Sequence, residues 1–307
     1  MSILIFGHRN PDTDTICSAI AYGELKEKLG KDVKPVRLGE LNEETKYVLD
    51  YFKVAIPELI ENVAGKEIIL VDHNERTQTA DGFEEAKVLE LIDHHRISNF
   101  NVDEPLMVRM APVGCTATIL FKMFKENGVA PSKEAAGLML SAIISDTLLF
   151  KSPTCTECDV KAGKELAEIA GVNVEEYGLE MLKAGTALGD KTDFELLNMD
   201  MKIFEKKKKK IGVAQVNTVN EAELTEKKES LVKEIDSIIE GEGLKFFVFI
   251  ITNILSNDSV GIVVGEGTEV VEKAFGEKIS DSLITLKGVV SRKKQVIPPL
   301  TKAIQEA

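Results

Sequence analysis

Histidine is rare in this chain of 307 residues, and its four copies fall in comparable places. His8, His73, His94 and His95 each follow a short apolar segment and have an aspartate beside them or within a few residues. A lone histidine at the end of a strand is usually a structural hydrogen-bonding group. The repeated setting indicates instead a site that combines imidazoles with carboxylates, as sites for divalent metal ions do.

Aspartates supply further candidate ligands. Asp12 and Asp14 lie two positions apart in the loop after the first histidine, and Asp72 precedes the second. A helix cap is the alternative for Asp14, although a cap needs only one aspartate and no histidine. Asp146 interrupts the apolar stretch 138–150. A buried carboxylate there is costly unless it is paired or binds metal, so we favour a ligand over a water-facing residue at a helix terminus.

Imidazoles and carboxylates without a thiolate are typical of sites for Mn²⁺, Co²⁺ or Mg²⁺ rather than for structural zinc. A set of two of these histidines and the four aspartates Asp12, Asp14, Asp72 and Asp146 exceeds the needs of one ion. They fit two ions roughly 3.5–4 Å apart, an arrangement that acts on phosphoryl substrates. The pair Cys155 and Cys158 has no second pair and no nearby histidine, so we expect reduced cysteines in a cytoplasmic protein.

The first half of the chain alternates strand-like and helix-like segments, which predicts a doubly wound parallel sheet. The segments 2–6, 67–71 and 88–92 are predicted strands, and the histidine–aspartate clusters follow them. Because ligands bind outside the carboxyl ends of strands in open α/β sheets, we expect the clusters to converge.

The second half predicts a smaller α/β domain with a mixed sheet, from strands at 211–219, 245–251, 259–264 and 283–290 and a long helix at 221–239. The basic segment Ser291–Gln295 follows the last of these strands. Arginine and lysine suit phosphate oxygens. Metal ions bound by one domain and basic side chains on the other predict an active site in a cleft that closes over substrate.

Composition limits the partners. The formal net charge of −13 disfavours binding to nucleic acid or an anionic membrane. We expect no secretion signal, and apolar runs such as 246–251 are too short to cross a bilayer. The five lysines of Lys206–Lys210 have no interleaved aromatic residue, so a solvated turn is the favoured interpretation over a phosphate or nucleic-acid patch.

These motifs together resemble a known family. His8, Asp12, Asp14, Asp72, the triplet Asp93-His94-His95 and Ser145-Asp146 resemble the DHH phosphoesterase superfamily. Ser291–Gln295 and the segment from Asp200 through Lys202 to Phe204 are similar to the family II (manganese-dependent) inorganic pyrophosphatases. The resemblance covers essentially the whole chain, without a departure at a functional position. The chain lacks the nucleotide-binding CBS insert of some members, which implies an unregulated short form.

The resemblance implies a role for each of these residues. His8 and Asp12 would bind one ion, Asp14 and His94 the other, and Asp72 and Asp146 both. His95 would face the substrate and donate a proton to the leaving phosphate. The phosphate oxygens would be held by Lys202, Arg292 and Lys293, while Asp93 and His73 would orient ligands.

The resemblance also implies the organisation of the protein. We expect a DHH catalytic domain at 1–187, a hinge at 188–194 and a DHHA2-like substrate-binding domain at 195–307. The expected activity is hydrolysis of pyrophosphate to two orthophosphates by a two-metal-activated water. Two Mn²⁺ or Co²⁺ ions per subunit, further Mg²⁺ with the substrate, a homodimer and a cytoplasmic location are the implied cofactors and setting.

Two alternatives remain at this point. The first is an exonuclease or short-oligonucleotide hydrolase of the same superfamily, whose glycine-rich substrate motif has only a poor counterpart in Gly265-Glu-Gly267. The second is a metal or nucleotide sensor without turnover, which would not need both the ligand set and the basic segment. The native metal and activity on longer polyphosphates stay open.

Overall fold

The structure, a computed structural model, describes residues 2–97, 99–186, 188, 191–206, 209–219 and 221–306. The chain divides into two compact units, Met1–Gly185 and Thr186–Ala307. Leu188 is buried in a hydrophobic core of the second unit. The domain boundaries predicted from the sequence and the hinge at 188–194 stay predictions, and Ala187, Gly189 and Asp190 lie outside the described residues.

The first unit is built on a parallel sheet. Its strands are β1 (Ile3–Phe6), β2 (Val33–Arg37), β3 (Glu58–Leu59), β4 (Glu67–Val71), β5 (Lys87–Asp93) and β6 (Met107–Met110). Over the described residues they form a six-stranded sheet in the order β3-β2-β1-β4-β5-β6, with each neighbouring pair parallel. The order reverses between β1 and β4, which confirms the predicted doubly wound sheet and places its topological switch point there.

Helices complete the first unit. They are α1 (Thr13–Lys28), α2 (Glu43–Tyr51), α3 (Thr116–Glu126), α4 (Lys133–Thr147), α5 (Glu157–Ala170) and α6 (Val174–Gly185). The apolar run of α4 is buried from Ala135 to Ile144, which explains why it lacks an amphipathic pattern. The short strands β3 and β6 were not predicted, because they are exposed and carry no buried apolar alternation.

The second unit contains a mixed sheet, as predicted. Its strands are β7 (Met201–Lys206), β8 (Lys209–Thr218), β9 (Phe246–Asn253), β10 (Asp258–Gly265) and β11 (Leu283–Leu286). In the part of the chain that is described, five strands follow the order β11-β10-β9-β8-β7. Only β8 and β9 pair in parallel among these strands. Alternate residues of β9 enter two different hydrophobic cores, so this strand is buried on both faces.

Helices of the second unit differ most from expectation. They are α7 (Asp193–Asn198), α8 (Glu221–Glu226), α9 (Lys228–Glu242), α10 (Glu269–Phe275) and α11 (Ile297–Glu306). The single helix predicted at 221–239 is wrong, since Lys227 separates α8 from α9. The lysine run Lys206–Lys210 lies at the β7–β8 connection, and its residues 207 and 208 are outside the described residues.

The remaining features concern the membrane and the cysteines. Within the described residues, none of the helices combines the length and apolar character that crossing a bilayer requires. Cys17 and Cys115 are buried thiols, Cys155 is half-buried and Cys158 is exposed.

Candidate metal centre

The candidate ligands follow three strands that end at one edge of the first unit's sheet. His8 lies two positions after β1, Asp72 directly after β4, and His94 directly after β5. Strands β1 and β4 flank the switch point, where open α/β sheets form their binding sites. The three side chains are therefore delivered to one place although they are far apart in the sequence.

His8, Asp12 and Asp72 form a first group, with ligand atoms within 4.8 Å of one another. His8 Nε2 lies 3.3 Å from Asp12 Oδ2 and 3.6 Å from Asp72 Oδ2. The other oxygen of Asp12 accepts a 2.9 Å hydrogen bond from the backbone N–H of Thr15, so Asp12 caps α1. The cap that the sequence alternative gave to Asp14 thus belongs to Asp12, which still turns one oxygen toward His8.

Asp72, His94 and His95 form a second group, again with ligand atoms within 4.8 Å of one another. His94 Nε2 lies 3.5 Å from Asp72 Oδ1 and 3.7 Å from Asp146 Oδ2. Its other ring nitrogen, Nδ1, lies 3.1 Å from the carbonyl oxygen of Val113. When the ring is neutral, donation to the carbonyl through Nδ1 leaves the lone pair on Nε2, which is the arrangement of many metal-binding histidines.

Asp14, Cys115 and Asp146 form a third group. Asp14 is fully buried and accepts hydrogen bonds from Ser18 Oγ at 2.6 Å and from the backbone N–H of Thr116 at 2.7 Å. Thr116 is the first residue of α3, so the amino end of this helix faces the carboxylate. The helix dipole and its free N–H groups stabilise the negative charge of Asp14.

Asp72 has the most constrained geometry of the candidates. Its φ of 59° lies in the left-handed region that residues other than glycine seldom adopt. Oδ2 accepts a hydrogen bond from Thr15 Oγ1 at 2.7 Å, and Oδ1 accepts one from Thr116 Oγ1 at 3.2 Å. The carboxylate is thus held from two sides, with one oxygen toward His8 and the other toward His94.

The carboxylates strongly perturb one another. Burial, together with the charges of Asp14 and Asp12, raises the pKa of Asp72 to about 7. Burial and the same neighbouring charges raise the pKa of Asp146 well above its usual value. Burial alone would lower the pKa of His94, but its hydrogen bond to Asp72 and the charges of Asp14 and Asp72 raise it to about 9. The site therefore concentrates negative charge that cations would offset.

The donor set fits two divalent ions. Asp72 belongs to the first and second groups, and His94 lies within 3.7 Å of an Asp146 oxygen in the third. Buried carboxylates that are not compensated destabilise the fold, whereas bound cations satisfy them. Carboxylate oxygens and imidazole nitrogens are ligands that Mn²⁺, Co²⁺ and Mg²⁺ accept. The residues present are therefore compatible with a pair of such ions.

Asp93 and His73, both predicted to orient ligands, differ from each other in their contacts: Asp93 contacts His95, whereas His73 contacts a backbone carbonyl. His95 is 53% exposed, and its Nδ1 lies 2.9 Å from Asp93 Oδ1. Asn74 Nδ2 donates to the other oxygen of Asp93 at 2.6 Å, so that carboxylate is itself fixed. His73 is buried, its Nδ1 lies 3.0 Å from the carbonyl oxygen of Val71, and burial lowers its pKa to about 4. None of the described hydrogen bonds joins His73 to a candidate ligand.

The predicted cations lie in the second unit. Arg292 opens a π-helical turn, and its guanidinium NH2 lies 2.9 Å from Asp200 Oδ1. Lys202 is exposed on β7, two positions after Asp200, and Lys293 is exposed beside Arg292. The backbone N–H of Arg292 donates to Gln215 Oε1 at 2.8 Å, which ties the turn to β8. Arg292 is thus held next to the segment that carries Lys202.

One contact of the site was not predicted. Glu44 of α2 accepts hydrogen bonds on Oε1 from Thr13 Oγ1 and from Ser145 Oγ, both at 2.6 Å. Thr13 lies between two candidate ligands of α1, and Ser145 precedes Asp146. Glu44 therefore connects two ligand-bearing helices. Its sequence setting, in the acidic first turn of a helix, gives no signal of this contact.

Comparison with known proteins decides the family. The profile described as "DHH family, N-terminal domain" matches residues 2–143, and the DHHA2 domain profile matches residues 179–303. A manganese-dependent inorganic pyrophosphatase of Bacillus cereus strain G9842 is 57% identical over 305 residues, covering 99% of each chain. The chain belongs to the family II, manganese-dependent inorganic pyrophosphatases.

Other family II pyrophosphatases agree with this assignment. A Bacillus licheniformis relative is also 57% identical and covers 99% of each chain. A Methanococcus jannaschii crystal structure described as a family II inorganic pyrophosphatase is 43% identical, with a TM-score of 0.74, covering 99% of this chain and 100% of that one. The resemblance inferred from the motifs is thus confirmed at the level of family and fold.

Proposed function

We propose that this protein hydrolyses inorganic pyrophosphate to two orthophosphates with two divalent ions bound at the carboxyl edge of the first unit's sheet. The observation that carries the proposal is the carboxylate of Asp72, which turns one oxygen to His8 and the other to His94. A carboxylate shared by two groups of ligands is what a two-ion centre needs. Identity of 57% to a manganese-dependent inorganic pyrophosphatase supports it.

The proposed ligands divide between the two ions. His8 and Asp12 would hold one ion, and Asp14 and His94 the other. Asp72 would bind both ions, since it lies near both His8 and His94, and the family resemblance gives the same shared role to Asp146, which lies near His94. Bound ions would polarise the phosphoryl oxygens and activate a water near neutral pH.

His95 is the proposed proton donor to the leaving phosphate. Asp93 holds Nδ1 of the ring, so Nε2 is the nitrogen left to exchange a proton with substrate. The side chain is 53% exposed, whereas the candidate ligands Asp14 and Asp72 are buried. A positioned general acid of this kind contributes about 10²- to 10⁴-fold to a rate.

Lys202, Arg292 and Lys293 are proposed to hold the phosphate oxygens. The guanidinium of Arg292 offers two parallel N–H donors, and the lysines offer point charges. Together they would offset the negative charge that builds on the oxygens during transfer. The cleft predicted from the sequence stays a prediction.

The finer properties follow from the family. We infer Mn²⁺ or Co²⁺ as the two tightly bound ions per subunit and Mg²⁺ as a companion of the substrate. We also infer a homodimer in the cytoplasm, without nucleic-acid or membrane partners. The edge strand β6, where Met107 and Val108 are 39% and 48% exposed, is compatible with pairing to a second copy.

A substrate comparison tests the proposal. Phosphate release from pyrophosphate and hydrolysis of a dinucleotide are measured with the same Mn²⁺-loaded protein. We expect pyrophosphate to be cleaved at least about 100-fold faster, because the bound ions and the three proposed cationic side chains match a small anion with several negative charges better than a dinucleotide with a single phosphodiester charge. Faster cleavage of the dinucleotide would favour the oligonucleotide hydrolases, and bound Mn²⁺ without turnover would favour a sensor.

A further inference from the structure

The segment 113–116, which leads into the first turn of α3, touches several candidate ligands. The carbonyl oxygen of Val113 lies 3.1 Å from His94 Nδ1. The backbone N–H of Thr116 donates to Asp14 at 2.7 Å, and its hydroxyl donates to Asp72 at 3.2 Å. The position of this segment therefore determines how these side chains face the centre.

Gly114 is the anchor of the segment. Its N–H donates a 2.8 Å hydrogen bond to Oδ2 of Asp159, which is fully buried near the start of α5. A Cβ at Gly114 would lie 2.8 Å from Asp159 Oδ2 and 2.8 Å from Thr147 Cγ2. Thr147 directly follows Asp146 in α4. The backbone at Gly114 is thus confined between Asp159 and the end of the helix that carries Asp146.

The chemistry around Asp159 requires a carboxylate. Oδ2 accepts hydrogen bonds from the N–H of Gly114, from the N–H of Thr156 and from Thr156 Oγ1. Oδ1 accepts one from Thr118 Oγ1 at 2.6 Å. Each of these partners donates. An amide in this place would turn an NH₂ group toward donors and break at least one of the bonds.

A helix cap alone does not account for this arrangement. Asp159 completes the capping box of α5 with Thr156, a role that an exposed side chain can perform. The same carboxylate also reaches Gly114 and Thr118, which lie on a different segment. Burying a charge is costly unless its hydrogen bonds are complete, as they are here.

We propose, on the basis of the metal centre proposed above, that Asp159 is a positioning residue for the ion held by Asp14 and His94. It fixes Gly114, and through the segment 113–116 it sets the carbonyl that orients His94 and the N–H that binds Asp14. The described contacts of His8 and Asp12 run instead to one another, Asp72 and Thr15. Asp159 therefore acts chiefly on the ion held by Asp14 and His94, and reaches the other ion only through the bond from Thr116 to the shared ligand Asp72.

The test is a titration of the metal-stripped Asp159→Asn variant with Mn²⁺, in which electron paramagnetic resonance measures the concentration of the free ion. Wild type is expected to bind two ions per subunit. In the variant the site of Asp14 and His94 should weaken about 10- to 100-fold, the range for groups that orient metal ligands, while the other site weakens much less. Unchanged affinity at both sites, or equal weakening of both, would overturn the assignment.

Thr156→Val is the matched control. It removes the hydroxyl bond to the same carboxylate oxygen and weakens the cap of α5, but it leaves the bond to Gly114 in place. We expect a lower melting temperature with both Mn²⁺ affinities unchanged. Equal weakening of Mn²⁺ binding in both variants would mean that Asp159 serves only the stability of α5.

Gly114→Ala approaches the same contact from the other side and decides the matter if Asp159→Asn does not fold. The added methyl group would force the segment away from Asp159. It should weaken the same ion site, whereas Gly241→Ala in α9, where a Cβ meets no atom within 4 Å, should not. Unchanged binding in Gly114→Ala would overturn the proposal. A wild type that binds no Mn²⁺ would instead refute the metal centre itself.

Discussion

Asp72 Oδ1 lies 3.5 Å from Nε2 of His94, across the edge where β4 and β5 end. The second oxygen of the same carboxylate lies 3.6 Å from Nε2 of His8. Two hydroxyl donors and a left-handed backbone hold this carboxylate in place. The relationship makes Asp72 the residue on which the two ion sites depend together.

Asp72→Asn should therefore reduce pyrophosphate turnover by at least about 100-fold, because it removes a charge shared by both ions. The fold should survive, since asparagine has the same shape and also tolerates a positive φ. Turnover is measured by phosphate release and folding by circular dichroism. Asp50→Asn, at an exposed position paired with Lys53, is the control. Near-normal turnover with bound Mn²⁺ would refute the shared role of Asp72.

His95→Gln should lower kcat about 100-fold, since it removes the proposed general acid. Binding of two Mn²⁺ ions should persist, because His95 is not among the proposed ligands. Steady-state kinetics and a Mn²⁺ titration separate the two effects. Arg96→Gln, at the exposed next position, should change neither. Loss of an ion in His95→Gln would instead make His95 a ligand.

Arg292→Lys should raise the KM for pyrophosphate about tenfold, because lysine cannot reproduce the paired N–H donors of a guanidinium. Mn²⁺ affinity should stay at the wild-type value, since Arg292 and the ion ligands lie in different units of the chain. Lys287→Gln, which replaces an exposed lysine of the same unit, is the control. An unchanged KM would contradict a substrate role for Arg292.

Glu24 should make stability depend on pH. Burial alone would raise its pKa, but hydrogen bonds from Lys28 and Ser132 and the charge of Lys28 lower it below its usual value. Because the pKa of Glu24 is lower in the folded protein than in the unfolded chain, its carboxylate stabilises the fold at pH values above the unfolded-state pKa. This stabilisation is lost as the pH falls through the folded-state pKa.

Glu24→Gln should therefore cost about 1 kcal/mol of unfolding free energy at pH 7, and the difference should shrink as pH falls below about 4. Urea unfolding of the metal-free wild type and variant, at pH 7 and at a pH below about 4, measures this difference in unfolding free energy. Glu27→Gln, on the exposed side of α1, should stay within about 0.5 kcal/mol of wild type. A difference that is the same at both pH values would contradict the role of Glu24.

The pattern of histidines and aspartates predicted the convergence of His8, Asp72 and His94 because parallel strands end at a common edge. It gave the alternative cap to Asp14, whereas the helix begins two residues earlier than expected, so that Asp12 is the cap and Asp14 lies within the first turn of α1. Short exposed strands such as β6 also escaped prediction, because they bury no alternating apolar residues.

The supporting contacts were beyond sequence reasoning for a different cause. Glu44 and Asp159 resemble ordinary acidic residues in the first turn of a helix. Their partners Ser145 and Gly114 lie far away in the chain, and only the packed helices bring them together. Tertiary hydrogen bonds of this kind leave no periodic signal in the sequence.

Restoration of activity by metal is the most direct test of the two-ion centre. The protein is stripped of metal, Mn²⁺ is added in steps, and bound ions and phosphate release are measured in the same samples. We expect almost no hydrolysis of pyrophosphate without metal, and turnover that reaches its plateau as the second ion per subunit binds. Full turnover in the stripped protein, or a plateau reached with one bound ion, would contradict the account.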